Sequence, residues 1–212
     1  MGYTIFSGRY ENGTQEQQIG YNQMFGSDNI QEKFDLYFHW FNIIHEIGHI
    51  IIDIQNIDMD NVDEEFFVNN FAVTYWRSVD NCNNLRKVKC MIDDILKCMP
   101  SPIPQGTSFN DFFKSIWGTE QMNSVMMYGY FQISCVAEAF NASRTLSDLL
   151  QEIGYDNIDV SLIKTYSEGV NSVNTIKVLN QCINNLNNIG IRVADVKIEL
   201  VDNPEVQCCQ PR

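Results

Sequence analysis

The 212-residue chain carries 14 basic against 27 acidic side chains, a formal charge of -13, and 44% of its residues are hydrophobic. This balance excludes a disordered or collagen-like chain, and a chain of this size can bury roughly 70% of its unfolded surface, so a single domain over residues 1–212 is expected. A surface this acidic repels phosphate backbones and anionic headgroups, so neither nucleic acid nor a membrane is an expected direct partner.

Residues 3–9 and 18–25 flank an Asn12-Gly13 turn signal and predict a short hairpin. From a cap at Ser27 or Asp28 the chain then runs to about Asn56 without proline, which predicts one long buried helix. A second helix is expected at 62–79 and a third from Cys82 to Met99, where Pro100, Pro102 and Pro104 end it. The Arg86-Lys87-Val88-Lys89 cluster reads as a solvated face of that third helix. Further helices are expected at about 109–117, 120–152 and 171–188. Ile191 to Val201 alternates like a strand that joins the N-terminal one. The fold class is thus mainly α (α+β), a helical core with a small antiparallel sheet; the turn at Gly154–Ser161 offers a boundary for a C-terminal subdomain from about 155.

The seven cysteines, at 82, 90, 98, 135, 182, 208 and 209, form no Cys-x-x-Cys pair. They read as neither a disulfide framework nor a zinc knuckle. The N-terminus shows no basic stretch leading into an apolar run, so no signal peptide is visible and a reducing cytoplasm is the expected compartment. Sequons at Asn12 and Asn141 carry little weight without secretion. The apolar run from Ile43 to Ile54 is interrupted by His45, Glu46, His49 and Asp53, which argues against a membrane span.

Residues 45–49 read His-Glu-Ile-Gly-His. Histidines at i and i+4 lie on one helical face, ~5–6 Å apart at Cβ, so both imidazoles can reach one metal ion. Glu46, one step round the helix, can reach a water at that ion as a general base. The remaining residues from 41 to 52 are uncharged, so the motif sits in a buried helix where unpaired charges cost several kcal/mol. His39, six positions before His45, points to another face and reads as a polar group on the helix surface.

Such a site needs a third protein ligand and an open fourth position. Glu65 shares a face with Asn69, whose amide would stand beside it as a supporting group; Glu64, with Asn61 as N-cap, suits a capping box, and Glu138 is a more distant candidate. Two imidazoles and a carboxylate suit zinc and also accept Mn or another first-row ion. Tyr128 and Tyr130 could donate to an oxyanion, although aromatic residues at helical spacing normally pack together. The proline-rich loop at 100–106 is either a lid or a connection.

His45-Glu46-Ile47-Gly48-His49, followed by Glu65-x-x-x-Asn69-x-Phe71-Ala72, resembles the ImmA/IrrE group of metallopeptidases. In that group the second helix typically reads Glu-x-x-Ala-Asn/Asp-x-Phe-Ala; Val68 stands here where Ala is usual. The resemblance covers residues from the long helix to about 79 and implies a zincin-like fold, with His45, His49 and Glu65 as metal ligands and Glu46 as catalytic carboxylate. It further implies an intracellular peptidase acting on a partner protein, typically a DNA-binding repressor. No helix-turn-helix is evident in this acidic chain, so that partner would be a separate protein. The alternative is a catalytically silent metal-binding sensor or interaction protein on the same fold.

Overall fold

Caps and hydrophobic spacing organise the chain more than strand pairing does. The computed structural model describes residues 2–193 and 195–201, and these form a mainly α fold. Strand β1 (Tyr3–Gly8) is followed by helix α1 (Gln15–Phe25), opened by a capping box: Thr14 accepts from the Gln17 amide while the Gln17 side chain accepts from the Thr14 amide. That box corrects the expected hairpin. Residues 18–25 are helical because Thr14 and Gln17 satisfy the first free amides, and the Asn12-Gly13 turn leads into a helix instead of a return strand.

The predicted long helix is continuous but composite: α2 (Ile30–Phe34), a π-helical stretch (Asp35–Phe41) and α3 (Asn42–Ile54). It starts after Asn29, which takes a left-handed conformation (φ 53°), and not from a Ser27 or Asp28 cap. Helix α4 (Asn61–Val79) is capped by Asp60, whose carboxylate accepts from the Val62 amide. Asn61 is therefore the first helical residue, and Glu64 is released from the expected capping box. Helices α5 (Asn84–Cys98) and α6 (Phe109–Ile116) flank the proline-rich loop, whose Ile103 packs into the cluster around Phe113. The expected helix at 120–152 is broken into a 3-10 turn (Glu120–Asn123), α7 (Val125–Asn141) and α8 (Leu146–Glu152), because Ser124 and Thr145 cap new starts. Helix α9 (Thr175–Asn188) precedes strand β2 (Val196–Val201).

β2 pairs with β1 in parallel, Tyr3 opposite Val196 through to Gly8 opposite Val201. The expected sheet was antiparallel. With the helical body inserted between the strands, the chain returns to the same end of the sheet before β2 begins, which is the connection that parallel pairing requires. Val178, Leu179, Cys182 and Leu186 of α9 share one hydrophobic cluster with α3 and α4, as does Ile5 of β1.

Trp40 and Trp76, both fully buried, stack at 3.7 Å where the composite helix meets α4. Lower down, the Cα of Gly48 faces Val68 so closely that an added Cβ would lie 2.9 Å from the Val68 Cβ. The missing side chain at 48 is what lets α3 and α4 approach. His39 is buried, which corrects its expected surface position: its Nε2–H donates to the Gly8 carbonyl at 2.9 Å, and its Nδ1 meets the Asp35 carboxylate at 2.6 Å. It ties the end of β1 to the composite helix. No helix among the described residues is long and apolar enough to cross a membrane.

Candidate metal centre

His45 and His49 project from α3 toward Glu65 of α4, and the three offer ligand atoms within 4.8 Å of one another. The two imidazole Nε2 atoms are 3.2 Å apart; Glu65 Oε2 lies 3.5 Å from the first and Glu65 Oε1 3.8 Å from the second. Donors held at ~2.0–2.1 Å in tetrahedral geometry would be ~3.3 Å apart, so the observed spacing could accommodate a common ion.

Proton positions follow from the surroundings. The Asn69 amide nitrogen donates to the Glu65 carbonyl (2.9 Å) and to Gln132 Oε1 (3.1 Å), which leaves Asn69 Oδ1 to face His45 Nδ1 at 3.2 Å. His45 Nδ1 must then carry the proton. His49 Nδ1 likewise donates to Glu64 Oε1 at 2.6 Å. The Nε2 atoms of the two rings meet at 3.2 Å, close enough to share a proton carried by His49 or to hold a metal ion between them. The donor set fits a divalent ion.

Burial holds His45 well below the usual imidazole range, with His49 adding to the effect and the Asn69 bond only partly opposing it. Burial also acts to lower His49, but the Glu64 hydrogen bond and the charges of Glu65, Glu46 and Glu64 outweigh it and raise this ring. Glu65 is raised chiefly by burial, with Glu46 and Glu64 contributing, while His49 and a hydrogen bond from Gln132 pull the other way. Three carboxylates crowd two imidazoles here. A bound cation reverses the penalty on Glu65 and favours its ionised form.

The expected ligands thus converge, and Glu64 does not join them: it holds the far nitrogen of His49. Glu138 is exposed on α7 and lies outside the group. Asn69 supports His45, not the carboxylate of Glu65. That task falls to Gln132 of α7, whose Nε2 donates to Glu65 Oε2 at 2.7 Å and to the Tyr128 hydroxyl at 2.9 Å. Nothing in the sequence marks Gln132, since only the packing of α7 on α4 brings it to the site. Tyr128 donates toward Glu65 Oε1 at 3.5 Å, whereas Tyr130 packs in the aromatic cluster, its ring centroid 6.4 Å from that of Phe113.

Glu46 accepts a hydrogen bond from Asn42 at 3.0 Å and, together with His45, borders a cleft of about 350 Å³ between α1, the π-helical stretch and α7. On its other side Glu46 also borders a small pocket of about 50 Å³ beside β1. Comparison with protein-family models, with curated proteins and with solved structures gives no match.

Proposed function

We propose that this protein is a zinc-dependent peptidase of the His-Glu-x-x-His type, similar to the ImmA/IrrE group, that hydrolyses a peptide bond in a specific cytoplasmic protein. The observation that supports this most is the convergence of two imidazole Nε2 atoms and a buried carboxylate beside Glu46, which faces an open cleft. His45, His49 and Glu65 would hold the ion, and zinc is the first choice for two nitrogens and one carboxylate, with Mn or another first-row ion also acceptable. When bound, the ion supplies Lewis acidity.

The chain's own residues do the remainder. Glu46, oriented by Asn42, takes a proton from the attacking water and later passes it to the leaving amine. Asn69 and Glu64 keep both rings in the tautomer that presents Nε2, and Gln132 fixes the carboxylate of Glu65. Tyr128, whose hydroxyl points toward Glu65, would turn to donate to negative charge developing on the substrate carbonyl oxygen. The chain's charge of -13 favours a basic partner, as a DNA-binding repressor would be.

Glu46→Gln is expected to keep fold and metal while losing ~10²–10⁴ of the hydrolytic rate, read by incubating each form with a repressor encoded beside it and with casein. Equal cleavage by both forms would overturn the assignment of Glu46. Metal binding with no cleavage of either protein would favour the silent metal-binding alternative.

A further inference from the structure

Resting on the zinc-peptidase reading, we infer that Asn69 and Gln132 act as one directional chain of amides, which joins His45 to Glu65, sets the Tyr128 hydroxyl as a proton donor, and requires a neutral amide at position 69. Both are positioning residues. Asn69 is fully buried on α4, and Gln132 is buried on α7. The direction of the chain is set at one point. A main-chain carbonyl can only accept, so the Glu65 carbonyl, 2.9 Å away, fixes which end of the Asn69 side chain is nitrogen.

Every later orientation follows from that anchor. Asn69 Oδ1 faces His45 Nδ1 at 3.2 Å, and the second amide proton of Asn69 goes to Gln132 Oε1 at 3.1 Å. With Oε1 turned to Asn69, Gln132 Nε2 faces the other way, where it donates to Glu65 Oε2 at 2.7 Å and to the Tyr128 hydroxyl at 2.9 Å. Each proton of the two amides thus has its own acceptor. A hydroxyl that accepts from Gln132 cannot direct its own proton there. The Tyr128 proton therefore points elsewhere, to Glu65 Oε1 at 3.5 Å in this structure and to the substrate carbonyl oxygen in the reaction. If Gln132 turned over, its Oε1 would meet the Glu65 carboxylate and would take up the Tyr128 proton.

Aspartate at 69 breaks this chain, even though a carboxylate is ordinarily the stronger partner for an imidazole N–H. It carries no proton, so one of its oxygens would face two acceptors inside the protein, the Glu65 carbonyl and Gln132 Oε1. Gln132 relieves its part of that conflict only by turning over, which removes the donor from Glu65 and occupies the Tyr128 proton. The residue tolerated at 69 is thus dictated by one 63 positions further along the chain.

The test compares Asn69→Asp, Gln132→Leu and the two combined. Zinc affinity is measured by competition with a chromogenic chelator, and ligand geometry by the visible spectrum of the cobalt-loaded protein. Asn69→Asp is expected to weaken zinc binding by about 10–100-fold and to change the cobalt spectrum. In the Gln132→Leu background, where no Oε1 opposes the new carboxylate, the same change should cost about tenfold less. Turnover of the repressor encoded beside this protein reads the far end of the chain: Tyr128→Phe should lower kcat in the parent and leave it unchanged in Asn69→Asp. Gln132→Glu creates the same conflict from α7 and should lose zinc to a similar extent, so it carries the test if circular dichroism shows that Asn69→Asp does not fold. Parent-like or tighter zinc binding by Asn69→Asp or by Gln132→Glu, or penalties that simply multiply in the combined variant, overturns the inference and leaves the metal centre standing. The expected affinities without any turnover support the amide chain and refute the peptidase reading. A parent protein that takes up no zinc overturns the metal-centre reading and this inference with it.

Discussion

Zinc retention should rank the two neighbouring carboxylates of α4 in opposite ways to their role as helix openers. Glu65→Ala removes a converging donor and is expected to abolish stable retention. Glu64→Ala leaves His49 Nδ1 without its acceptor and should weaken affinity by about 10–100-fold. Competition with a chromogenic chelator measures both, and the reverse ranking would mean that Glu64 is the ligand. Gln132→Leu, which strips the N–H donor from Glu65 Oε2, should also cost about 10–100-fold. At this scale the pairing of His45 with His49 is legible from sequence because helical spacing fixes which side chains share a face, whereas Glu65 converges on them from a second helix and without the expected support of Asn69. The partners of the imidazole Nδ1 atoms and of Glu65 are less so. Glu64 is hidden by a cap that lies one residue earlier than the sequence suggests, and Gln132 by a helix-to-helix contact with no local signature.

Between elements, the contact of Gly48 with Val68 sets how closely the helices that carry His45, His49 and Glu65 lie. Gly48→Ala should destabilise the protein by about 1–3 kcal/mol despite its better helix propensity, because the new methyl meets the Val68 Cβ. Adding Val68→Ala should recover part of that loss, giving a coupling of about 0.5 kcal/mol or more in a double-mutant cycle read by urea unfolding. Simple additivity would show that the contact is not what Gly48 serves. Val68 stands where the ImmA/IrrE pattern has Ala, and in this fold the glycine opposite makes room for it. Helix existence is largely readable along the chain, since apolar periodicity and prolines mark it. Helix starts are not: Asn29, Asp60, Ser124 and Thr145 compete with equally plausible neighbours. The mistaken hairpin has the same origin, as an Asn-Gly signal gave way to the Thr14 and Gln17 box.

For the molecule as a whole, zinc at 100 times its dissociation constant should add ~2.7 kcal/mol of stability. A chain of this size gains ~2–4 °C per kcal/mol, so Tm should rise by about 5–11 °C, reverse on chelation, and stay flat in His45→Ala. Alkali probes the other side of the core. Burial pushes the Cys182 thiol up to about 12, and burial also raises Tyr75 beside it. Both stay neutral in the fold and ionise sooner once unfolded, so stability should hold below pH ~9 and fall as pH rises toward 12. The slope is at most ~1.4 kcal/mol per pH unit for each group. A Cys182→Ala variant with the same alkaline slope would remove the thiol from this account. The parallel pairing of β1 with β2 has a consequence in time. At ~5–20 residues per second of synthesis, β1 leaves the ribosome on the order of ten to forty seconds before β2 exists. Through that interval the edge that β2 will occupy has no strand from its own chain, and the His39 bond to Gly8 can form as soon as the composite helix does. Of the two paired strands β1 is made well before β2, so the nascent chain passes through a stage in which that edge is exposed to chaperones and to neighbouring copies.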